Sequence, residues 1–276
     1  MSGTLYIVAT PIGNLDDITF RAIDTLKSVD LILAEDTRHS KTLINHHDIS
    51  TPMRAFHEHN EQHKSAEVIE ALLSGKNMAL ISDAGTPLIS DPGYVLVREA
   101  KQAGVMVSPI PGPSAMISAM SAAGIATDRF GFFGFLPNKK TARVKAIQAI
   151  AHTNQTVIFY ESPKRILECT KDMLSVLGDQ RIVCLAKELT KSFETIKTDT
   201  LPTLLDYLQA DATHQKGEFV ILISAIDKDN RVEGEEQLDK ILPILLAEMG
   251  TSKAAKLAAK ITGIDKKHCY QRAIDL

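Results

Sequence analysis

The sequence predicts an α/β protein, doubly wound in its first part, α/β again in its second, and closed by a small helical appendix. Three observations predict it. Apolar runs of strand length alternate with longer segments of helical spacing. Those runs are continuous rather than alternating, which implies burial on both faces, as in a parallel sheet sandwiched between helices. The composition then shifts twice, near 112–125 and from 227. With 276 residues there is room for two domains of ordinary size.

LYIVAT (5–10) is the first strand, followed by the tight turn PIGN, where Asn14 or Asp16 can cap helix N–H groups. FRAIDTLKSV is the first helix. DLILAE, NMALISD and VMVSPIPG are further strands, and SAEVIEALLSG and YVLVREAKQAG are helices. Between the last two kinds of segment runs ALISDAGTPLISDPG (79–93), with two Ser-Asp pairs among Gly and Pro. Asp83 ends a buried strand, Gly85 lets a ligand approach the backbone closely, and Pro87 fixes the turn. Asp91 is placed as the cap of the next helix, with Pro92 at its first position. A Pro, Gly, Ser and Ala-rich stretch then marks a domain boundary near 112–125.

RFGFFGFLP (129–137) holds four of the nine phenylalanines. QTVIFYES, RIVCLAKE, SFETIKT and GEFVILISAI are strand candidates, with helical PKRILECTKDMLSVLG and PTLLDYLQ between them. After the polar DKDNRVEGEEQ come two helical segments, LDKILPILLAEMG and TSKAAKLAAKITG. The expected domains are therefore 1–115, 116–226 and 227–276.

The balance of 31 basic against 34 acidic residues gives a net charge of −3, which excludes coating of nucleic acid by bulk electrostatics. Any such contact must be local. The last 26 residues invert the sign, with six basic side chains (Lys253, Lys256, Lys260, Lys266, Lys267, Arg272) against two acidic ones. Helical spacing puts Lys253, Lys256 and Lys260 on one face and Leu257, Ala258 and Ile261 on another, either a solvated face or a phosphate-contacting stripe. Cys169, Cys184 and Cys269 form neither a disulfide framework nor a thiolate metal site, which fits a reducing compartment. With no signal-like leader and no membrane-length apolar run, a soluble cytoplasmic protein is expected.

The chain has neither Gly-x-Gly-x-x-Gly nor Gly-x-x-x-x-Gly-Lys-Ser/Thr, so ordinary dinucleotide and P-loop nucleotide binding lose support. In AEDTRHS, Glu35, Asp36 and Arg38 stand at the carboxyl end of a strand, where open α/β sheets bind ligands, or serve as a cap with an ion pair. His57, His59 and His63 lack an acidic or cysteine partner at a recognised spacing, so no metal is expected.

Taken in order, VATPIGNLDDITFRA, AEDTR, ALISDAGTPLISDPG, PIPGPSA, FFGFLP, FYESPKRI and KELTKSFE resemble the tetrapyrrole methylase superfamily. Within it they are similar to the family that methylates small-subunit ribosomal RNA, and the likeness runs through the basic tail. Lys164 stands where His is frequent, Lys187 where Arg is common, and AAGI where SGL is usual. The resemblance implies a homodimer with two α/β domains per subunit and S-adenosylmethionine in the cleft between them. It implies methyl transfer to the ribose 2′-oxygen of a cytidine in the decoding region of 16S rRNA, without a metal. Its cofactor pattern falls on Pro11, Asp83, Ala84, Gly85, Thr86, Ser114, Ala115, Tyr160, Ala186 and Phe219. Asp36, Arg38, Glu161, Lys187 and Glu188 are candidates for the base or for a cation at the developing alkoxide. Lys139, Lys140, Lys164, Arg165, Lys253, Lys256, Lys260, Lys266 and Lys267 are candidates for RNA contact. Two rivals remain: methylation of a tetrapyrrole or diphthamide precursor, which would not need a cationic tail, and a non-catalytic ribosome-assembly module, which would not need Gly and Pro at strand ends.

Overall fold

The computed structural model describes residues 2–151, 153–226, 230–262, 264 and 266–276, excluding the side chains of 58, 59 and 230–236. The chain forms two compact units, Met1–Ala151 with Gln155–Ser224, and His152–Asn154 with Ala225–Leu276. No helix among the described residues is long and apolar enough to cross a membrane.

The first unit begins with β1 (Thr4–Val8), α1 (Phe20–Ser28), β2 (Leu31–Ala34), α2 (Thr37–His46), β3 (Met53–Ala55), α3 (Glu58–Leu73), β4 (Met78–Ile81), α4 (Tyr94–Gln102) and β5 (Met106–Ile110). The strands make one wholly parallel sheet in the order β3-β2-β4-β1-β5. Alternate residues of its strands enter different cores. Val8, Ile32, Ala34, Ala79 and Ile81 pack with Ala22, Leu26 and Leu43 of α1 and α2. Leu5, Leu33, Met78 and Leu80 pack with Val68, Leu72 and Leu96 of α3 and α4. Helices on both faces explain why the strands read as unbroken apolar runs.

The Pro, Gly, Ser and Ala-rich stretch is not all linker: it folds as α5 (Ala115–Ala122). Its Ala119 and Ala123 are buried against Ile158, Cys184, Ala186, Val220 and Leu222 of a second sheet. Small side chains let that helix lie close to the strands. The second sheet comprises β6 (Phe130–Phe135), β7 (Thr156–Glu161), β8 (Ile182–Lys187), β9 (Thr195–Thr200) and β10 (Phe219–Ile223), in the order β6-β7-β10-β8-β9. Only β6 and β7 are parallel; the other three pairings are antiparallel. The α/β alternation of the sequence therefore continues, but the sheet it builds is of the other kind, because β8 returns directly as β9 through the turn 188–194. Its second face carries α6 (Lys140–Ile150), α7 (Ile166–Leu177) and α8 (Leu201–Ala210) over Val157, Phe159, Val183, Leu185 and Ile221.

The second unit holds α9 (Asn230–Glu248), α10 (Thr251–Thr262) and α11 (Lys266–Ile274), one helix more than the spacing predicts. Leu238, Leu242, Ala255, Ala258 and Cys269 form its core. The expected boundary at residue 227 lies outside the described residues.

Capping departs from expectation at one consequential place. Asn14 caps the 3-10 turn Leu15–Asp17, and Thr19 caps α1. But α4 starts at Tyr94, not Pro92, and Asp91 does not cap it. Glu61 of α3, 6% exposed, takes that role. Its Oε1 accepts from the backbone N–H groups of Gly93 at 3.1 Å, Val95 at 2.9 Å and Leu96 at 3.2 Å. A carboxylate against the positive end of a helix satisfies three donors that would otherwise be orphaned. Glu61→Ala should lose about 2 kcal/mol, on the scale of a charged hydrogen-bonded group, and lower the thermal midpoint by roughly 4–8 °C. Scanning calorimetry would show it, and an unchanged midpoint would mean the cap contributes nothing.

Candidate functional site

At the carboxyl edge of the parallel sheet, three loops are tied to one another. Thr10, two residues past β1, pairs with Gly85 past β4: Thr10 N–H donates to Gly85 O at 2.8 Å, and Gly85 N–H donates to Thr10 O at 3.0 Å. The Thr10 hydroxyl also donates to Ser82 O at 3.2 Å. Thr86 then donates its hydroxyl to Pro113 O, at 3.1 Å, in the loop after β5. Gly85 has φ of +78°, where a side chain would strain the backbone, and a Cβ there would sit 3.4 Å from Ile12 Cγ2. That glycine is required by the turn.

These loops form one wall of a cavity of 420 Å³. Ile12, Ala84, Gly85, Thr86, Ser114 and Ala115 are on that wall, as are Ile89, Ser90 and Asp91. The second sheet supplies the facing wall with Phe135, Tyr160, Glu161, Ala186, Phe219 and Val220. The size is within the range of roughly 300–1,000 Å³ usual for small-molecule sites. Of the ten residues that the resemblance assigns to the cofactor, eight line this one cavity. The other two do not line it: Pro11 is buried between the Thr10 bridge and Ile12, and Asp83 accepts the Asp36 N–H at 3.1 Å.

The acid-base candidates sort differently. Asp36 caps α2 and holds Arg38 through Nε at 3.1 Å and Nη2 at 2.8 Å. That guanidinium keeps the Asp36 carboxyl well below the usual range, and neither residue lines the cavity. Glu161 does line it, but Oε1 accepts from Ser162 N–H at 2.8 Å and Oε2 lies 3.2 Å from Arg165 Nη2. That approach is an ion pair by distance without hydrogen-bond geometry. Lys187 is 8% exposed and does not line the cavity, although Phe219 and Glu161, in register with it across β10 and β7, do. Glu188 is held by Glu218 N–H at 2.9 Å and by Lys191 at 3.0 Å; these outweigh its burial and keep its pKa low.

Asp91 is what the sequence reading missed at this site. Burial first, then the nearby charges of Glu35 and Asp83, push its carboxyl up to about 7, against the pull of the Ser82 hydroxyl. Burial, then Asp83, raises Glu35 as well, and burial raises the Tyr160 phenol, to which Asp91 adds from across the cavity. The signal in the sequence was the second Ser-Asp pair itself, which looked like a cap because Glu61 is thirty positions away.

Among the RNA-contact candidates, Lys139, Lys140 and Lys164 are exposed. Lys164 follows Ser162 and Pro163, which line the cavity. Arg165 instead turns inward: it donates to Leu136 O at 2.6 Å and Pro137 O at 3.3 Å, and also binds Asn138 Oδ1. It ties the Lys139–Lys140 loop to the Lys164 loop. In the second unit Lys253, Lys256 and Lys260 are exposed, but so are Leu257 and Ile261, because the buried face of α10 is Ala254, Ala255 and Ala258. Lys266 and Lys267 are exposed at the start of α11. Among the described residues no three His, Cys, Asp or Glu side chains are placed to hold a metal ion. His57 pairs with Asn60 at the start of α3, and the His59 side chain lies outside the described residues.

The profile of the Tetrapyrrole (Corrin/Porphyrin) Methylases matches residues 4–205, and that of the RsmI C-terminal HTH domain matches 232–276. The chain is 50% identical to Ribosomal RNA small subunit methyltransferase I of Pseudomonas aeruginosa over 99% of its own length and 97% of the relative's. Against the protein of the same name from Haemophilus influenzae it is 50% identical, over 98% and 96%. A solved diphthine synthase superposes with a TM-score of 0.62 at 15% identity, covering 81% of this chain and 90% of that one, a likeness of fold alone. The chain belongs to the tetrapyrrole methylase family and, within it, to the ribosomal RNA small subunit methyltransferase I family.

Proposed function

We propose that this chain transfers a methyl group from S-adenosylmethionine to the ribose 2′-hydroxyl of a cytidine in the decoding region of 16S rRNA. The observation that carries the reading is the joining of three sheet-edge loops and the facing strand ends around one cavity, in a chain half identical to ribosomal RNA methyltransferases along nearly its whole length. The domain division 1–115, 116–226 and 227–276 belongs to this reading, with the acceptor-binding tail as its third part.

The cavity fits such a cofactor on its own evidence. The left-handed turn at Gly85 lets the chain line the cavity there without a side chain. At Ser114 the N-terminus of α5 has no side-chain cap, which leaves N–H donors and the positive dipole end for a carboxylate. Ala186, Phe219 and Val220 give the apolar surface an adenine needs. The cofactor supplies an electrophilic methyl on a sulfonium with its own leaving group. The protein's part is then to align the acceptor oxygen and to exclude water. Tyr160, packed edge-on by Phe132 at 4.8 Å and Phe135 at 5.8 Å, is held rigidly for that alignment.

We also propose a homodimer. It is supported by the edge strand β6, where Phe130 is 41% and Phe133 49% exposed. Sedimentation of the pure protein reads the mass directly.

The reaction itself is tested with tritiated S-adenosylmethionine and unmethylated small subunits. Label in a 2′-O-methylated cytidine is expected; cofactor binding with no label in RNA would redirect the assignment to a small acceptor. Gly85→Val should weaken cofactor binding about tenfold or more, since a non-glycine left-handed residue costs roughly 1–2 kcal/mol. Calorimetry with the folded variant checks this, and unchanged affinity would place the cofactor elsewhere. Changing Lys253, Lys256 and Lys260 together to Glu should weaken binding to small subunits and lower the magnitude of its log-log salt slope by about 2–3, one phosphate contact for each lysine. An unaltered slope would remove the tail from the RNA interface.

A further inference from the structure

Methyl transfer to a hydroxyl requires that a proton leave the oxygen, and the carboxylates nearest in sequence to the motifs are poorly placed for it. Three carboxylates line the cavity: Asp91, Glu161 and Glu218. Glu161 is spent on the Ser162 N–H and the Arg165 guanidinium. Glu218 is 79% exposed and paired with Lys191 at 2.9 Å. Asp91 has no ion pair among the described residues.

Its freedom has a structural cause. An aspartate just before a helix ordinarily turns its carboxylate onto the first N–H groups. Here Glu61 reaches across from α3 and satisfies Gly93, Val95 and Leu96, so those donors are already taken. The backbone on either side is held in the left-handed region, with φ of +72° at Ser90 and +123° at Gly93. This keeps the turn in a shape that leaves Asp91 on the cavity wall. The groups facing it are Glu35 from the end of β2, Asp83 and Ser82 from the end of β4, and Tyr160 from β7 across the cavity.

We propose that Asp91 is the proton acceptor for the hydroxyl that is methylated. The inference rests on the functional reading above, because it needs a hydroxyl acceptor. In the step, the hydroxyl proton passes to an Asp91 oxygen as the acceptor oxygen bonds to the methyl carbon. The carbon–sulfur bond breaks with its electron pair left on sulfur, and the proton on Asp91 is later lost to water. A carboxyl pushed up to about 7 by burial is matched to this work near neutrality, where it is basic enough to accept and about half of it is ionised.

The sign for stability follows from the same shift. The folded-state pKa lies above the unfolded one of 3.8, so Asp91 stabilises the fold at low pH, and that contribution is lost as pH rises through about 7. Asp91→Asn has no such loss. In the cofactor-free protein its thermal midpoint should gain on the wild type between about pH 4 and 7 and hold its lead above. A difference independent of pH would overturn the proposal.

With small subunits as substrate, the wild-type rate should rise about tenfold per pH unit below 7 and level off above. Asp91→Asn should be slower by about 10²–10⁴ in kcat at saturating cofactor, with that limb gone, while calorimetry still shows saturable cofactor binding. Asp91→Glu should recover part of the rate. If Asp91→Asn methylates within threefold of an active wild type, the acceptor is another group. A wild type that binds the cofactor but methylates no RNA at any pH brings down the functional reading, and the proton acceptor with it.

Discussion

The pairing of Thr10 with Gly85 is the constraint on which the site depends. Strand β1 lies between β4 and β5, so its carboxyl end emerges between the two loops that must meet. The two mutual hydrogen bonds between Thr10 and Gly85 fasten the first loop to the second, and the Thr86 hydroxyl on Pro113 fastens the second to the third. Without them, three stretches of irregular backbone at a sheet edge would each need water or another partner for their polar groups. With them, main-chain bonds are satisfied within the loops, and the outward surface is left for a ligand. Gly85 is the pivot, since only there does the chain need the left-handed conformation that lets both N–H and C=O face Thr10.

The opposite wall is made by different means. The second sheet is mainly antiparallel, and its β7, β10 and β8 bring Tyr160, Val220 and Ala186 into one row on the cavity wall. Beside it the 188–194 turn holds two non-glycine residues at positive φ, Glu188 at +50° and Thr190 at +65°, while Leu88 and Ser90 do so on the first wall. Such conformations persist only when surrounding contacts over-determine them. Here they do: Thr190 Oγ1 accepts the Asn14 N–H at 3.0 Å, and Glu194 accepts the Thr190 N–H at 2.7 Å. The Asn14 contact also joins the turn after β8 to the loop after β1. Strain is concentrated on the two loops that flank the cavity, and the packed sheets supply the stability that sustains it.

Four of the first sheet's five strands were legible because their chemistry is local; β3, three half-buried residues at the sheet edge, was not. Four continuous apolar runs mean two buried faces, whatever the order of the strands. The direction of β8, β9 and β10 was not legible, since antiparallel pairing depends on which strand comes to lie beside which. Helices α5 and α6 were missed for related reasons: each has weak apolar spacing or small residues, and α5 is a helix because a sheet receives it. The loops of the cavity were readable from Gly, Pro and Ser at strand ends. The role of Asp91 was not, because it depends on Glu61 taking the cap from another helix. Arg165 is a similar case: a basic residue in a basic stretch looked like an RNA contact, yet the carbonyls of Leu136 and Pro137 hold it inward. Side chains whose partner is close in sequence could be assigned; those recruited across the fold could not.

Charge divides the labour of the proposed reaction. Glu35, Asp83 and Asp91 gather at the ends of β2 and β4, close enough to raise the carboxyls of Glu35 and Asp91. Such a wall favours a sulfonium cation and opposes a phosphate. The net charge of −3 adds no long-range attraction for RNA. In the proposed reaction phosphates are therefore met by separate cationic patches, for which the exposed lysines are the candidates: Lys139, Lys140 and Lys164 around the segments that Arg165 ties together, and Lys253, Lys256 and Lys260 along α10. In that proposal the acidic wall repels the RNA backbone and admits only the acceptor nucleoside to the cavity.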